Sequence, residues 1–256
     1  MAVSALAIAL LLVYEIVGLE RIVGEIADKS VKNLADMTVT RALGSAVFIA
    51  ILVHLGFKVM SPFRGLGKSL LVILPAFAVV INNLPIYPLA SGLATLSSPW
   101  WKIALLAAEC AFIGIFEEVC FRGVVFLSFL EKRRTSTSGR FWSIVLTAAV
   151  FGAVHAVNLF FGSSPVAVLM QIGYSFLIGA MCSVVLIKTA NVWLCALLHA
   201  VFDFCGALVP NCGEGIIWEP ITVTATVIVA VAVTVYMVLV FFKIKNDECD
   251  ALFIKE

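Results

Sequence analysis

Long apolar segments of roughly membrane thickness constrain the fold of this chain more than any other feature. Hydrophobic residues make up 62% of its 256 residues and are gathered into separate runs. A helix needs about 20 mainly apolar residues to cross the hydrocarbon core of a bilayer. We therefore predict an all-α, polytopic membrane protein, a bundle of about eight transmembrane helices. The predicted spans are residues 2–18, 42–57, 69–87, 102–130, 141–161, 165–187, 191–209 and 216–242.

The remaining composition narrows the classes of partner. Charged residues are only 13% of the chain and the net charge is +1, so nucleic acid is not an expected partner. The seven cysteines are scattered without a CxxC pair, which favours buried thiols over a disulfide framework or a zinc finger. Because no linker or internal repeat divides the sequence, we treat residues 1–256 as a single transmembrane domain.

Basic residues are distributed unevenly between the two sets of loops. The loops after the second, fourth, sixth and eighth runs carry eleven of the 17 lysines and arginines, and the opposite set carries five. Cytoplasmic loops are enriched in these residues. Both termini and the loop at residues 130–140 are therefore predicted to be cytoplasmic.

The amino-terminal region gives two further expectations. No basic residue precedes the first run and no small-residue cleavage site follows it, so residues 2–18 are predicted to be a retained anchor helix. Residues 19–41 mix charged and spaced apolar side chains. This pattern fits either an amphipathic helix at the membrane interface or a solvated connector.

A charged motif interrupts the fourth run. Glu117, Glu118 and Arg122 stand in the apolar stretch from Ala111 to Leu127, where each charge costs roughly 2.5 to 3.5 kcal/mol to insert into a membrane. Glu118 and Arg122 are four residues apart, so a helix places them on one face as an ion pair. Glu117 lies about 100° around the helix and has no basic partner within one turn. It marks a candidate functional site, although purely structural pairing with neighbouring helices stays open.

Two of the three histidines lie in later apolar runs. His155 is in the middle of the fifth run, and His199 is followed one helical turn later by Asp203. Counted from the predicted cytoplasmic ends at about 1.5 Å per residue, Glu117, His155 and His199 lie at depths of about 20, 21 and 12 Å. Within the freedom of helix tilt, these depths allow one shared site inside the bundle.

Hydrolysis of an amide suits this set of side chains. It needs a base to activate water, a group to relay the proton and donors to stabilise the oxyanion. Glu117 suits the first role, because a carboxylate in apolar surroundings is a stronger base towards water. His155 can share that water, His199 can donate to the oxyanion, and Asp203 can fix the tautomer of His199 or polarise a donor.

Metal binding is an alternative use of the same residues. Glu117, His155 and His199 offer one carboxylate and two nitrogens, which a water molecule would complete to a zinc site. The local HExxH spacing is absent, so this alternative rests on residue type alone. We accordingly expect either no cofactor or one divalent metal ion such as zinc. A cysteine nucleophile is disfavoured, since acidic neighbours oppose formation of the thiolate.

Three motifs in this order resemble those of the CAAX protease and bacteriocin-processing (CPBP) family of intramembrane proteases. They are EExxxR at Glu117, Glu118 and Arg122, FxxxH at Phe151 and His155, and HxxxN/D at His199 and Asp203. The resemblance covers about residues 102–209. It implies an eight-helix bundle in which the first glutamate and both histidines surround a catalytic water in a cavity open to the cytoplasm. It also implies a peptide or lipidated protein substrate within the lipid bilayer.

One residue departs from the prenyl-protein proteases, which carry an asparagine at the position of Asp203. A carboxylate cannot donate a hydrogen bond unless it is protonated. This favours a bacterial-type peptidase or immunity-related member, in the bacterial plasma membrane. We predict an endopeptidase that uses a glutamate-activated water. A non-catalytic membrane peptide-binding or scaffold protein is the alternative, and a transporter is disfavoured because signs of broken helices are sparse.

Overall fold

The fold is a bundle of α-helices. The computed structural model describes residues 13–14, 18–20, 24, 26–65, 67 and 70–253. Five of the described helices are long and apolar enough to cross a membrane. The predicted all-α, polytopic class is confirmed, whereas the count of eight spans is not. The elements in chain order are α1 (Lys29–Leu55), α2 (Leu70–Asn82), α3 (Ile86–Ser91), β1 (Ala94–Leu96), α4 (Trp100–Glu118), α5 (Leu127–Glu131), α6 (Thr137–Val154), α7 (Pro165–Thr189), α8 (Val192–Cys212), β2 (Gly213–Gly215), α9 (Pro220–Phe242) and α10 (Asn246–Asp250).

The predicted spans coincide with described helices from the second span onwards, with shifted ends. The first span, residues 2–18, falls outside the described residues except at three positions, so the retained anchor helix stays a prediction. The third span is shorter than predicted, because α2 ends at Asn82. Leu84 precedes Pro85, and the residue before a proline avoids the α-helical conformation.

α1 begins well before the second predicted span. Asp28 accepts hydrogen bonds from backbone N–H groups of the first turn and so caps the helix, which then runs unbroken to Leu55. It ends at Gly56, whose φ of 74° is the left-handed conformation common after helices. Of the two alternatives predicted for residues 19–41, the connector is therefore wrong from Lys29 onwards, whereas the helix agrees with α1 and its position at the interface stays a prediction. Arg41, which the sequence assigned to a loop, lies within a long helix.

α4 changes its winding directly after the two glutamates. Its α-helical part ends at Glu118, and a π-helical segment, Val119–Phe126, leads into α5. π-Helical turns are rare and frequently occur at functional sites. Gly123 in this segment allows close approach of α1, since a Cβ there would lie 2.8 Å from Leu52 Cδ2. The fourth predicted span is thus one continuous helix, which changes from α-helical to π-helical hydrogen bonding directly after the two glutamates.

α6 ends at the second motif. Its α-helical part stops at Val154, and a 3₁₀ segment, His155–Phe161, follows. His155 thus lies inside the fifth predicted span, but in its 3₁₀ part and not in its α-helical part. Gly162, with φ of 87°, ends the 3₁₀ segment before α7. Residues three apart eclipse one another in this winding, so His155 and Asn158 share one side of it.

α4 and α8 pack closely through small residues. A Cβ on Gly114 would lie 2.5 Å from the backbone oxygen of Ala196, so glycine is needed for the helices to approach this far. Near the ends of the same two helices, β1 pairs antiparallel with β2, with Ala94 opposite Gly215. α4 carries the first motif and α8 the third. Their packing therefore brings these two motifs together.

The loops rich in basic residues are joined by α10. Arg134 forms an ion pair with Asp250 at 2.6 Å, and Lys188 forms one with Glu248. α10 therefore connects two loops that the sequence assigned to one side of the membrane, and the β1–β2 ladder connects two that it assigned to the other. Which side faces the cytoplasm stays a prediction.

Candidate active site

An ion pair is buried where α4, α6 and α7 meet. Arg122 Nη1 lies 2.9 Å from Glu118 Oε1, as the four-residue spacing predicted. Both side chains are buried, with 2% of Arg122 and none of Glu118 exposed. The guanidinium lies over the ring of Phe151, 4.2 Å from its centroid. Gly179 leaves room for it, because a Cβ there would lie 2.6 Å from Nη2.

His199 binds Glu118 from the other side. Its Nδ1 lies 2.8 Å from Glu118 Oε1, and His199 is itself buried. Because an ionised carboxylate only accepts hydrogen bonds, this contact assigns a proton to Nδ1. The sequence offered Asp203 for control of the tautomer, but the structure places Glu118 at that nitrogen. Glu118 thus connects Arg122 to His199, which extends the two-residue pair predicted.

The other ring nitrogen of His199 faces two further carboxylates. Its Nε2 lies 3.7 Å from Glu117 Oε2 and 3.4 Å from Asp203 Oδ2. The side chains of Glu117 and Asp203 are 14% and 26% exposed, so both have more access to solvent than Glu118. N–H···O hydrogen bonds extend to about 3.2 Å. Glu117 is therefore beside His199 without being hydrogen-bonded to it.

His155 lies on the same side of the site as Glu117. Its ring packs against Phe151, with centroids 5.4 Å apart. Its Nε2 is buried and has no hydrogen-bond partner in the described structure. Such an atom is costly to bury, so it indicates a position for a water molecule or a substrate group. Asn158 donates to Gln171 Oε1 at 2.8 Å and fixes the 3₁₀ segment against α7.

Phe151 contacts residues of all three motifs. It is almost fully buried, and its ring meets Arg122, His155 and His199, the last with centroids 5.8 Å apart. An aromatic face attracts a cation and packs edge-to-face with other rings, which an aliphatic side chain cannot do. The sequence marked Phe151 only as part of a motif. Nothing in its apolar neighbourhood indicated contact with three polar side chains.

The predicted site residues are all brought together, but they divide into two sets. One cavity of about 1820 Å³ is lined by four of them, Glu117, His155, His199 and Asp203. Glu118 and Arg122 lie behind this wall and do not line the cavity. Ligand pockets commonly measure about 300 to 1,000 Å³. The cavity therefore has room for a peptide segment beside the four side chains.

The three residues of the zinc alternative do not fit a single metal ion. Ligand atoms of one zinc lie about 2.0 to 2.2 Å from it, hence within about 4.4 Å of one another. Glu117, His155 and His199 do not form such a group. Over the described part of the chain, the one group of three or more acidic, histidine or cysteine side chains gathered within 4.8 Å is Glu118, Cys182 and Cys195.

Two further charged residues line the cavity, and the sequence did not predict them as part of the site. They are Arg41 of α1 and Glu109 of α4. Glu109 lies in the same apolar run as Glu117, so its charge was a signal available in the sequence. Arg41 gave no such signal, because its neighbours resemble a connector.

Comparison with known proteins finds similarity in the part of the chain that carries the three motifs. Residues 99–205 match the family model described as Rce1-like: Type II CAAX prenyl endopeptidase Rce1-like. No curated protein and no solved structure matches the chain. The matched stretch contains all three motifs and extends from just before α4 into α8. The resemblance to the CPBP family drawn from the motifs is therefore confirmed over residues 99–205, which are similar to the Rce1-like type II CAAX prenyl endopeptidases of that family.

Proposed function

We propose that the protein is an intramembrane endopeptidase that hydrolyses a peptide bond with water activated by Glu117. The observation that carries the proposal is the 3.7 Å separation between Glu117 Oε2 and His199 Nε2 on the wall of one cavity. The imidazole is held from behind by Glu118. Glu117 makes no hydrogen bond in the described structure, so its oxygens are available to a water. The match to a family of prenyl endopeptidases supports the same reaction class.

Glu117 acts as the general base in this mechanism. It takes a proton from the water as the water oxygen attacks the carbonyl carbon of the peptide bond. His155 is within electrostatic range of Glu117, and its unpartnered Nε2 positions the same water. The C–N bond breaks as the proton passes from Glu117 to the leaving amine. A base of this kind contributes about 100- to 10,000-fold to the rate.

His199 stabilises the oxyanion. Its Nδ1–H is held by Glu118, so Nε2 donates when the ring is an imidazolium. Each ring nitrogen of the imidazolium faces a carboxylate oxygen: Nδ1 faces Glu118 Oε1, and Nε2 lies 3.4 Å from Asp203 Oδ2. The oxyanion of the tetrahedral intermediate then accepts the Nε2–H hydrogen bond. A preorganised donor of this kind is worth about 2.7 to 4 kcal/mol of transition-state stabilisation.

The substrate class follows from the cavity and the family match. Peptides that end in a prenylated CAAX-type sequence are the first substrates to test, because the matched family is described by that activity. Apolar side chains of α9, such as Val233 and Met237, line the cavity and suit a lipid chain or apolar peptide. Asp203, in place of the asparagine of prenyl-protein proteases, favours an unprenylated bacterial peptide as the second substrate.

The test is the Glu117→Gln variant in proteoliposomes with both kinds of peptide. Cleavage is expected to fall by at least about 100-fold, with expression and unfolding temperature unchanged. Glu131→Gln, at the end of the same helical rod and outside the cavity lining, is the control and is expected to retain activity. Activity retained by Glu117→Gln would remove the proposed base. Peptide binding without cleavage by the wild-type protein would identify the non-catalytic binding alternative.

A further inference from the structure

Arg41 is the one lysine or arginine among the described residues that line the cavity. Its guanidinium lies over the ring of Phe116, 4.9 Å from the centroid. Phe116 immediately precedes Glu117 in the sequence. The cation is therefore held next to the part of α4 that carries the proposed base.

In the part of the chain that the structure describes, Arg41 is within electrostatic range of Glu109 but forms no direct ion pair with it. None of the ion pairs found there includes it. Its Nε is buried and has no hydrogen-bond partner. A guanidinium carries five N–H donors and no acceptor, and burying such a donor without a partner is costly. An arginine in this condition on a cavity wall indicates an anionic ligand.

The substrate of an endopeptidase can supply that anion. The free carboxyl end of a peptide is a planar carboxylate, and the guanidinium fork matches it with two parallel hydrogen bonds. We propose that Arg41 binds the C-terminal carboxylate of the peptide substrate and so sets the direction in which the peptide lies. This inference rests on the proposed function.

The other charges of the cavity restrict the carboxylate to one place. Glu117 and Asp203 line the cavity beside His199 and repel an anion there. Repulsion between carboxylates disfavours a peptide orientation that would place its carboxyl end beside these side chains. The carboxyl end of the peptide is therefore directed to Arg41, and the residues before it extend towards Glu117.

The position of the guanidinium relates the carboxylate site to the base. Arg41 lies over the ring of Phe116, the residue directly before Glu117. Cleavage is accordingly expected close to the carboxyl end of the substrate.

The experiment compares two fluorescent peptides for binding to the Glu117→Gln protein in nanodiscs. Both carry one prenylated CAAX-type sequence, and they differ only in having a free carboxylate or an amide at the carboxyl end. The acid is expected to bind about 10- to 100-fold more tightly than the amide. Adding Arg41→Gln removes this preference. Adding Arg133→Gln preserves it, because Arg133 also lies over a phenylalanine ring but is outside the cavity lining.

Equal binding of the two peptides, or a preference for the acid that survives Arg41→Gln, overturns the proposal that Arg41 binds the C-terminal carboxylate. Arg41→Lys guards against a folding defect: it keeps the charge without the fork and is expected to retain part of the preference. Cleavage by the wild-type protein is measured separately. Acid-selective binding that depends on Arg41, without cleavage, supports carboxylate binding by Arg41 and overturns the proposed endopeptidase activity. Binding of neither peptide overturns both for this substrate class.

Discussion

The two nitrogens of His199 face regions of opposite character. The buried face, Glu118 and Arg122, is closed to solvent. The cavity face, Glu117 and Asp203, has side chains that are 14% and 26% exposed. Two consecutive glutamates thus have different surroundings, because neighbouring residues on a helix point about 100° apart. Burial, and not residue type, separates the carboxylate that supports the site from the one available for chemistry.

The largest effect is expected from removing one charge of the buried face. Glu118→Gln leaves Arg122 buried without a counter-ion, which costs about 3 to 5 kcal/mol of folding free energy. Glu117→Gln, on the cavity face, is expected to change it by no more than about 0.5 kcal/mol. Thermal unfolding of both variants in one detergent measures the difference. Equal unfolding temperatures would abolish the distinction between the two faces.

Removing both charges of the buried face is expected to recover part of that loss. An apolar pair of similar volume often replaces a buried ion pair at little net cost. Glu118→Leu with Arg122→Met should therefore unfold at a higher temperature than Glu118→Gln. It should still be inactive, because His199 loses the partner of its Nδ1. If the double variant unfolds at no higher temperature than Glu118→Gln, the stacking of Arg122 on Phe151, and not the ion pair, stabilises this part of the fold.

A moderate effect is expected from moving the two faces apart. The Cβ of Gly114→Ala would lie 2.5 Å from the backbone oxygen of Ala196, so α4 and α8 must separate. Such overpacking costs about 1 to 3 kcal/mol and should slow cleavage as Glu118 withdraws from His199. Gly173→Ala is the control, because a Cβ there meets nothing within 4 Å. If both variants unfold and cleave alike, close approach at Gly114 does not set the site geometry.

The smallest effect is expected from Asp203→Asn on the cavity face. The substitution replaces an acceptor by a group that can also donate to the oxyanion, at a side chain that is 26% exposed. We expect kcat/KM to change by no more than about tenfold, equivalent to about 1.4 kcal/mol. The unfolding temperature should stay the same. A loss as large as that of Glu117→Gln would mean that the Asp203 carboxylate itself takes part in the reaction.

The ion pair within one helix and the meeting of the motifs at one site were predictable from the sequence, and the individual contacts between helices were not. The Glu118–Arg122 pair follows from the four-residue spacing alone. The hydrogen bond from His199 to Glu118 depends on how closely α4 and α8 approach, and a single sequence does not fix that distance. Spacing suggested Asp203 as the partner of His199, since the two are on one helix. The glycine at position 114, which permits the closer inter-helix contact, carries no chemical signal of its own.

Changes of helical winding were also hidden in the sequence. The π-helical segment Val119–Phe126 and the 3₁₀ segment His155–Phe161 contain no proline, and apolar residues surround them. The three windings differ by one residue in their hydrogen-bond spacing, too little to detect over eight residues. The start of α1 was missed for another reason. Its charged residues resemble a connector, and only the three-dimensional structure shows that Arg41 faces a cavity.

The ladder between β1 and β2 joins the start of α4 to the end of α8, and the close approach of Gly114 to Ala196 joins the end of α4 to the start of α8. Helices joined at two levels move as one wall. We expect a peptide that enters laterally from the bilayer to displace the other wall, formed by α7 and α9, which present exposed apolar residues such as Met170 and Val227 to the same cavity. Amide hydrogen exchange is expected to be faster in α7 and α9 than in α4 and α8. Equal protection of the two walls would exclude this division into a fixed frame and a moving gate.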